Sequence, residues 1–231
     1  MSISFLFLLV SCQQEKGNGF HIQGTIDGAE NGTVVMLQAN NEQSPLLLAQ
    51  TEVQQNQFTF SGVQDSTIEC CITYMQNGRK MGADFFLENG RIDMNFSNET
   101  SQITGTANNN RLQQFLNKIN AIYKQIGSTY NDHPESDLIK EEQEDSIPSI
   151  VEDLNQQADA LIGQTILEHI DNPVGYHLFC RFNQNLTANQ QETILKKLPA
   201  HWRHTPAIED IRSQLLILPP DSIQEDTVYL E

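Results

Sequence analysis

Apolar positions recur along this chain at two different spacings, and the change from one to the other falls near residue 106. From Phe20 onward the spacing is close to two, the period at which alternate side chains of a strand share a face. Phe20-His21-Ile22-Gln23-Gly24-Thr25-Ile26 alternates, and Asp27-Gly28 and Asn31-Gly32 supply turn residues. Further strands are predicted over residues 33–39, 46–53, 57–62, 67–74, 83–88 and 91–96. Asn89-Gly90, the dipeptide most typical of a two-residue hairpin, is read as the turn joining the last two. Many short strands closely spaced by turns imply an antiparallel β-sandwich or a partly open barrel.

Beyond Thr106 the period lengthens to that of a helix. Leu112, Phe115, Leu116, Ile119, Ile122, Tyr123 and Ile126 fall on one face, with Asn108-Asn109-Asn110 ahead of them as capping side chains. Residues 127–134 read as a break. A second helix is expected after Ser136, interrupted at Pro148 and resumed through Ile150, Val151, Leu154, Ala158, Leu161, Ile162 and Ile166. Asn172-Pro173 marks a turn before a short buried helix over residues 174–182. Thr187 is placed to cap a helix reaching Leu198, and Thr205-Pro206 to open the last one, which Pro219-Pro220 stops. The fold class expected is therefore α+β, a β module over residues 20–106 followed by a helical region over 107–218 and an acidic tail over 219–231.

The residues ahead of the first strand follow neither pattern. Ile3, Phe5, Leu6, Phe7, Leu8, Leu9 and Val10 form an apolar run that ends at Ser11-Cys12 and turns abruptly polar. The run is too short to span a bilayer, which takes about 20 residues, and no Lys or Arg precedes it. Leu9-Val10-Ser11-Cys12 has the form of a bacterial lipobox, in which the cysteine thiol receives a diacylglycerol before cleavage. The expectation is a lipoprotein signal over residues 1–11, acylation at Cys12, and a polar tether over 12–19 leading to the fold.

Charge narrows the partners. Against 13 Lys and Arg stand 30 Asp and Glu, a formal net charge of −17. Nucleic acid and direct adhesion to anionic headgroups both need clustered cations, so no nucleic-acid role is expected, and contact with the membrane is assigned to lipid on Cys12. Besides Cys12 the chain has Cys70, Cys71 and Cys180. Adjacent cysteines of a strand point to opposite faces, so these three are read as buried free thiols packing as small hydrophobes.

Candidate chemistry is sparse. His201 and His204 flank Trp202 three residues apart, with Glu209 and Asp210 downstream, but four zinc ligands at a compatible spacing are not found and no metal is assigned. The carboxylates Glu135, Asp137, Glu141, Glu142, Glu144 and Asp145 lack the spacing of a calcium loop. No Gly-x-Ser-x-Gly elbow and no Cys-x-x-Cys occurs. Asp65-Ser66-Thr67, Asp145-Ser146-Ile147 and Asp221-Ser222-Ile223 match a triplet used for O-glycosylation of exported bacterial proteins, a match that chance also supplies.

Several of these segments, taken in order, carry a resemblance: residues 20–28, Gln57-Phe58-Thr59-Phe60-Ser61-Gly62, Phe86-Leu87-Glu88-Asn89-Gly90, Ile103-Thr104-Gly105-Thr106, and then His169 to Tyr176 and Trp202 to Pro206. The chain resembles a Bacteroidota domain of unknown function found at the N-terminus of lipid-anchored or periplasmic thioredoxin-like thiol:disulfide oxidoreductases. The resemblance implies an accessory module beside a redox domain, which in those proteins begins near the position of Pro219-Pro220. No such domain follows within these residues, so the expectation is a non-enzymatic interaction or scaffold module of the cell envelope, with no cofactor and a protein partner. The alternatives are an accessory to a thioredoxin-like catalyst supplied in trans and a binder of a small ligand or glycan.

Overall fold

The computed structural model describes residues 19–40, 44–97, 100–131 and 146–217. The chain divides into two compact units, Met1–Thr106 and Ala107–Glu231.

The first unit is a sandwich of two four-stranded sheets that do not close on each other. Its strands are β1 (Phe20–Ile26), β2 (Val34–Ala39), β3 (Leu46–Glu52), β4 (Gln57–Gly62), β5 (Ile68–Gln76), β6 (Arg79–Leu87), β7 (Gly90–Phe96) and β8 (Ser101–Thr104). One sheet runs β4-β1-β7-β8 and the other β3-β2-β5-β6. The period-two pattern does what it predicts: Ile22 and Ile26, Val35 and Leu37, Phe58 and Phe60, Ile72 and Tyr74, Ile92, Met94 and Phe96 all turn inward. Phe58, Phe60, Phe96 and Tyr74 interlock at centroid separations of 5.6 to 6.3 Å, the spacing at which aromatic pairs gain beyond plain area burial.

Two features depart from the sequence reading. The antiparallel expectation holds for every strand pair except β1 with β7, which run parallel with Ile22 opposite Ile92. β1 lies inside its sheet with β4 on one side, and β7 comes beside it on the other only after β5 and β6 have completed the second sheet, a long connection of the kind parallel pairing requires. The hairpin turn is also elsewhere. β6 and β7 lie in different sheets, so Asn89-Gly90 is a crossover, and the tight hairpin joins β5 to β6 through Asn77-Gly78, with Gln76 opposite Arg79. Asn77 and Gly78 have φ of 51° and 73°, the left-handed pair that a type I′ turn demands. Asn89 instead uses its side chain, accepting from the Gln64 amide at 3.0 Å and donating to the Gln64 carbonyl at 2.7 Å.

The second unit is helical: α1 (Ala107–Asn131), α2 (Ser146–Glu168), α3 (Pro173–Phe182), α4 (Ala188–Lys197) and α5 (Pro206–Ile217). α1 buries Leu112, Phe115 and Ile119, α2 buries Val151, Leu154, Ala158, Ile162 and Ile166, and Phe115 meets Phe182 of α3 edge-on at 5.6 Å. Tyr123 and Ile150, assigned to the apolar faces from spacing, are exposed. α1 begins at Ala107, so Asn108–Asn110 lie inside its first turn and not ahead of it as caps, and it passes through Gly127 without the expected break, with the Ser128 and Thr129 hydroxyls bonding back to the Gln125 carbonyl, each at 2.9 Å. Pro148 sits in the first turn of α2, where no backbone donor is needed, and so does not interrupt it. The rest of the predicted second helix, residues 136–145, lies outside the described residues.

The turn between α2 and α3 is tightly made. Asn172 accepts from the Val174 amide at 3.0 Å as the N-cap, and Pro173 opens the helix. Gly175 packs so closely on the His169 carbonyl that a Cβ would collide with it.

Candidate functional site

Among the described residues each sheet ends in two strands with no further strand beside them, and the four edges are not alike. β8 is only four residues long. β6 opens with Arg79-Lys80 and carries Asp84, charges that discourage another strand from pairing. β4 presents Gln57, Thr59 and Ser61 outward. β3 reads Leu-Leu-Leu-Ala-Gln-Thr-Glu, with no charge before Glu52 and no proline after Pro45.

Its leucines are exposed to an unusual degree: Leu46 58 %, Leu47 49 % and Leu48 42 %. On its inner side β3 pairs with β2, Leu46 opposite Ala39 and Leu47 opposite Gln38, and the register then shifts so that Ala49 stands opposite Leu37. The irregularity leaves Leu48 without an opposite number. A side chain in regular alternation would be either in the core or out, but three successive leucines around a bulge spread over the rim of the sandwich. Among the described residues no strand pairs with the outer edge of β3. That edge therefore offers backbone donors and acceptors flanked by apolar side chains, the combination used to add a strand from another chain.

Among the described residues no cysteine is in a disulfide, and Cys70 and Cys71 are buried. Cys70 points into the sandwich core against Phe85, and burial together with the neighbouring Cys71 and Glu69 pushes its thiol up to about 12. Cys71 faces the opposite side of the strand, next to Asp84, and its thiol is also raised, by burial first and then by the Asp84 carboxylate. Both shifts disfavour the thiolate, the nucleophilic form, near neutral pH. Cys180 is half-buried, more open than its place between Phe179 and Phe182 suggests.

The histidine pair separates in function. His204 Nδ1 lies 3.1 Å from a Glu209 carboxylate oxygen at the start of α5, while His201 packs on the Trp202 ring at 4.3 Å. Trp202 also stacks on Tyr176, whose hydroxyl donates to the Thr205 hydroxyl at 2.9 Å, so this cluster docks the last helix on α3. Among the described residues no three His, Cys, Asp or Glu side chains gather as a metal would need, and no helix is long and apolar enough to cross a membrane. Asp65-Ser66-Thr67 is an exposed loop between β4 and β5. Cys12 and the Asp221 triplet lie outside the described residues, as does Asp145 of the remaining one.

The leucines of β3 were not singled out from the sequence, although a signal was present: a run of three leucines without alternation or charge in a chain otherwise rich in carboxylates. No curated protein matches the chain. Residues 20–112, the whole sandwich and the start of α1, match the family model described as Domain of unknown function (DUF4369).

Proposed function

We propose that this protein is a lipid-anchored, non-enzymatic interaction module of the cell envelope, held to the membrane through Cys12 and receiving an extended segment of a partner protein along β3. The observation that carries the reading is the unguarded apolar edge of β3, Leu46 to Thr51, in a chain whose other edges are short, charged or polar. Natural sandwiches blunt such edges. A retained one buries apolar surface worth about 25 cal/mol per Å² when a strand covers it. A second copy of the chain would carry the same net charge of −17, and the repulsion between two such copies favours a different protein as occupant. Burial of Cys70 and Cys71 weighs against a redox role for this chain itself.

The test is site-specific photocrosslinking in the native membrane, with the photoreactive residue at Leu48 or, as a control, at exposed Thr59 of β4. One discrete adduct is expected from Leu48 and none from Thr59. The adduct should vanish in a Leu47→Lys background and persist in Met75→Lys, an exposed position on another strand. An adduct of twice the chain's own mass would make the occupant a second copy. Equal adducts from both strands, or an adduct insensitive to Leu47→Lys, would overturn the β3 assignment.

A further inference from the structure

The last two helices enclose a groove that the β3 reading does not use. It lies between α4 and α5, has a volume of about 570 Å³, and is floored by Leu195, Leu215 and Leu216. Leu216 is 87 % exposed, so the floor is open to solvent. Around it stand Lys196, Arg203 and Arg212, with Glu192 as the one carboxylate in the lining. Three of only 13 cations in a chain of net charge −17 thus converge on a single apolar groove.

Their present bonds leave them available. Lys196 pairs with Glu192 at 3.1 Å and Arg212 with Glu209 at 3.3 Å, both exposed intrahelical pairs of the kind that contribute little and exchange readily. Arg203 is held more firmly, donating through Nε to the Leu198 carbonyl at 2.6 Å and through Nη2 to the Lys196 carbonyl at 3.4 Å. It closes the C-terminus of α4, and the anchoring fixes one guanidinium at the groove.

The geometry points to a binding site for an anionic amphiphile, a single acyl chain ending in a carboxylate or a phosphate. The leucine floor excludes a purely hydrophilic anion as the preferred ligand, and the cationic rim excludes an uncharged chain. The volume falls in the range of small-molecule sites, about 300–1,000 Å³. α4, with 10 residues, presents about 15 Å of helix at 1.5 Å per residue, which suits a chain of medium length.

Trp202, the sole tryptophan, adjoins Arg203 and gives the readout. The full-length protein is titrated below micelle formation with dodecanoate, dodecyl phosphate, 1-dodecanol and inorganic phosphate, following Trp202 fluorescence and, in parallel, heat of binding. The two charged amphiphiles should bind at least tenfold more tightly than dodecanol, and inorganic phosphate should not bind. Whichever charged head binds tighter assigns the natural source, free fatty acid or phospholipid-derived. Lys196→Gln with Arg212→Gln should weaken both by tenfold or more, and Leu216→Ser by several-fold, with an unchanged melting temperature showing that the fold is intact. Binding of dodecanol equal to that of dodecanoate, no binding of any probe, or undiminished binding by the folded variants would overturn the assignment.

Discussion

Cys70 joins packing to acid–base chemistry at a single residue. Its side chain fills the sandwich core, and removing the proton there would leave a charge among Ile72, Phe85 and Leu87. The thiol is therefore held protonated up to about 12, against an ordinary value of 9.0. An unfolded chain releases this proton near its ordinary pKa and the folded chain retains it. Stability from this group is thus complete below pH 9 and is lost as pH rises toward 12, because the unfolded state then binds fewer protons. Chemical denaturation at a series of pH values should show a decline over that window which Cys70→Ala reduces, though the variant starts less stable through its lost volume. Ellman's reagent at neutral pH should leave Cys70 and Cys71 unmodified until denaturant is added. Rapid labelling of either in the folded protein would contradict the burial argument. The sequence already held this inference, since adjacent cysteines in an apolar strand must face opposite ways; the openness of Cys180 was beyond it, because helical neighbours in sequence are not neighbours in space.

At the scale of elements, capping is the most local determinant and was the most legible. Thr187 accepts from the Gln190 amide at 3.3 Å while the Gln190 side chain accepts from the Thr187 amide at 2.9 Å, so two backbone donors at the start of α4 are satisfied reciprocally. Thr187→Ala should cost about 1 kcal/mol in a denaturant titration, and because α4 forms one wall of the leucine groove it should also weaken amphiphile binding. A loss indistinguishable from zero would mean that packing of Ile194 and Leu198 alone holds the helix. The starts of α3, α4 and α5 and the strand pattern were readable because each depends on residues close in sequence, whereas the Asn108–Asn110 run read as a cap lies within α1. Pairing was not. Asn77-Gly78 and Asn89-Gly90 are the same dipeptide, yet only the first closes a hairpin, since the strand after the second belongs to the other sheet. The β3 site was hidden for the same reason: residues 46–53 read plainly as a strand, but that it forms an edge follows only from which strands lie beside it.

For the molecule as a whole, net charge and the proposed lipid anchor would act in opposite directions at a membrane. With 30 carboxylates against 13 cations, the chain is repelled by the anionic headgroups of a membrane. Under the proposed lipid anchoring, residence there would rest on acyl chains at Cys12, each buried methylene contributing about 0.8 kcal/mol and two or more chains together giving durable attachment. This has an ionic-strength signature. A protein held by basic patches leaves the membrane in concentrated salt, whereas one held against its own charge is not released and is, if anything, held better as salt screens the repulsion. Wild-type protein expressed in a lipoprotein-processing host should therefore stay in the membrane pellet through a high-salt wash, and mass spectrometry of its N-terminus should find an acylated Cys12. Cys12→Ser should move it to the supernatant at every salt concentration. Persistence of the folded Cys12→Ser protein in the pellet at low salt would show that another surface, the leucine edge of β3 or the groove between α4 and α5, binds membrane directly, and the corresponding variants Leu47→Lys and Leu216→Ser would then identify which.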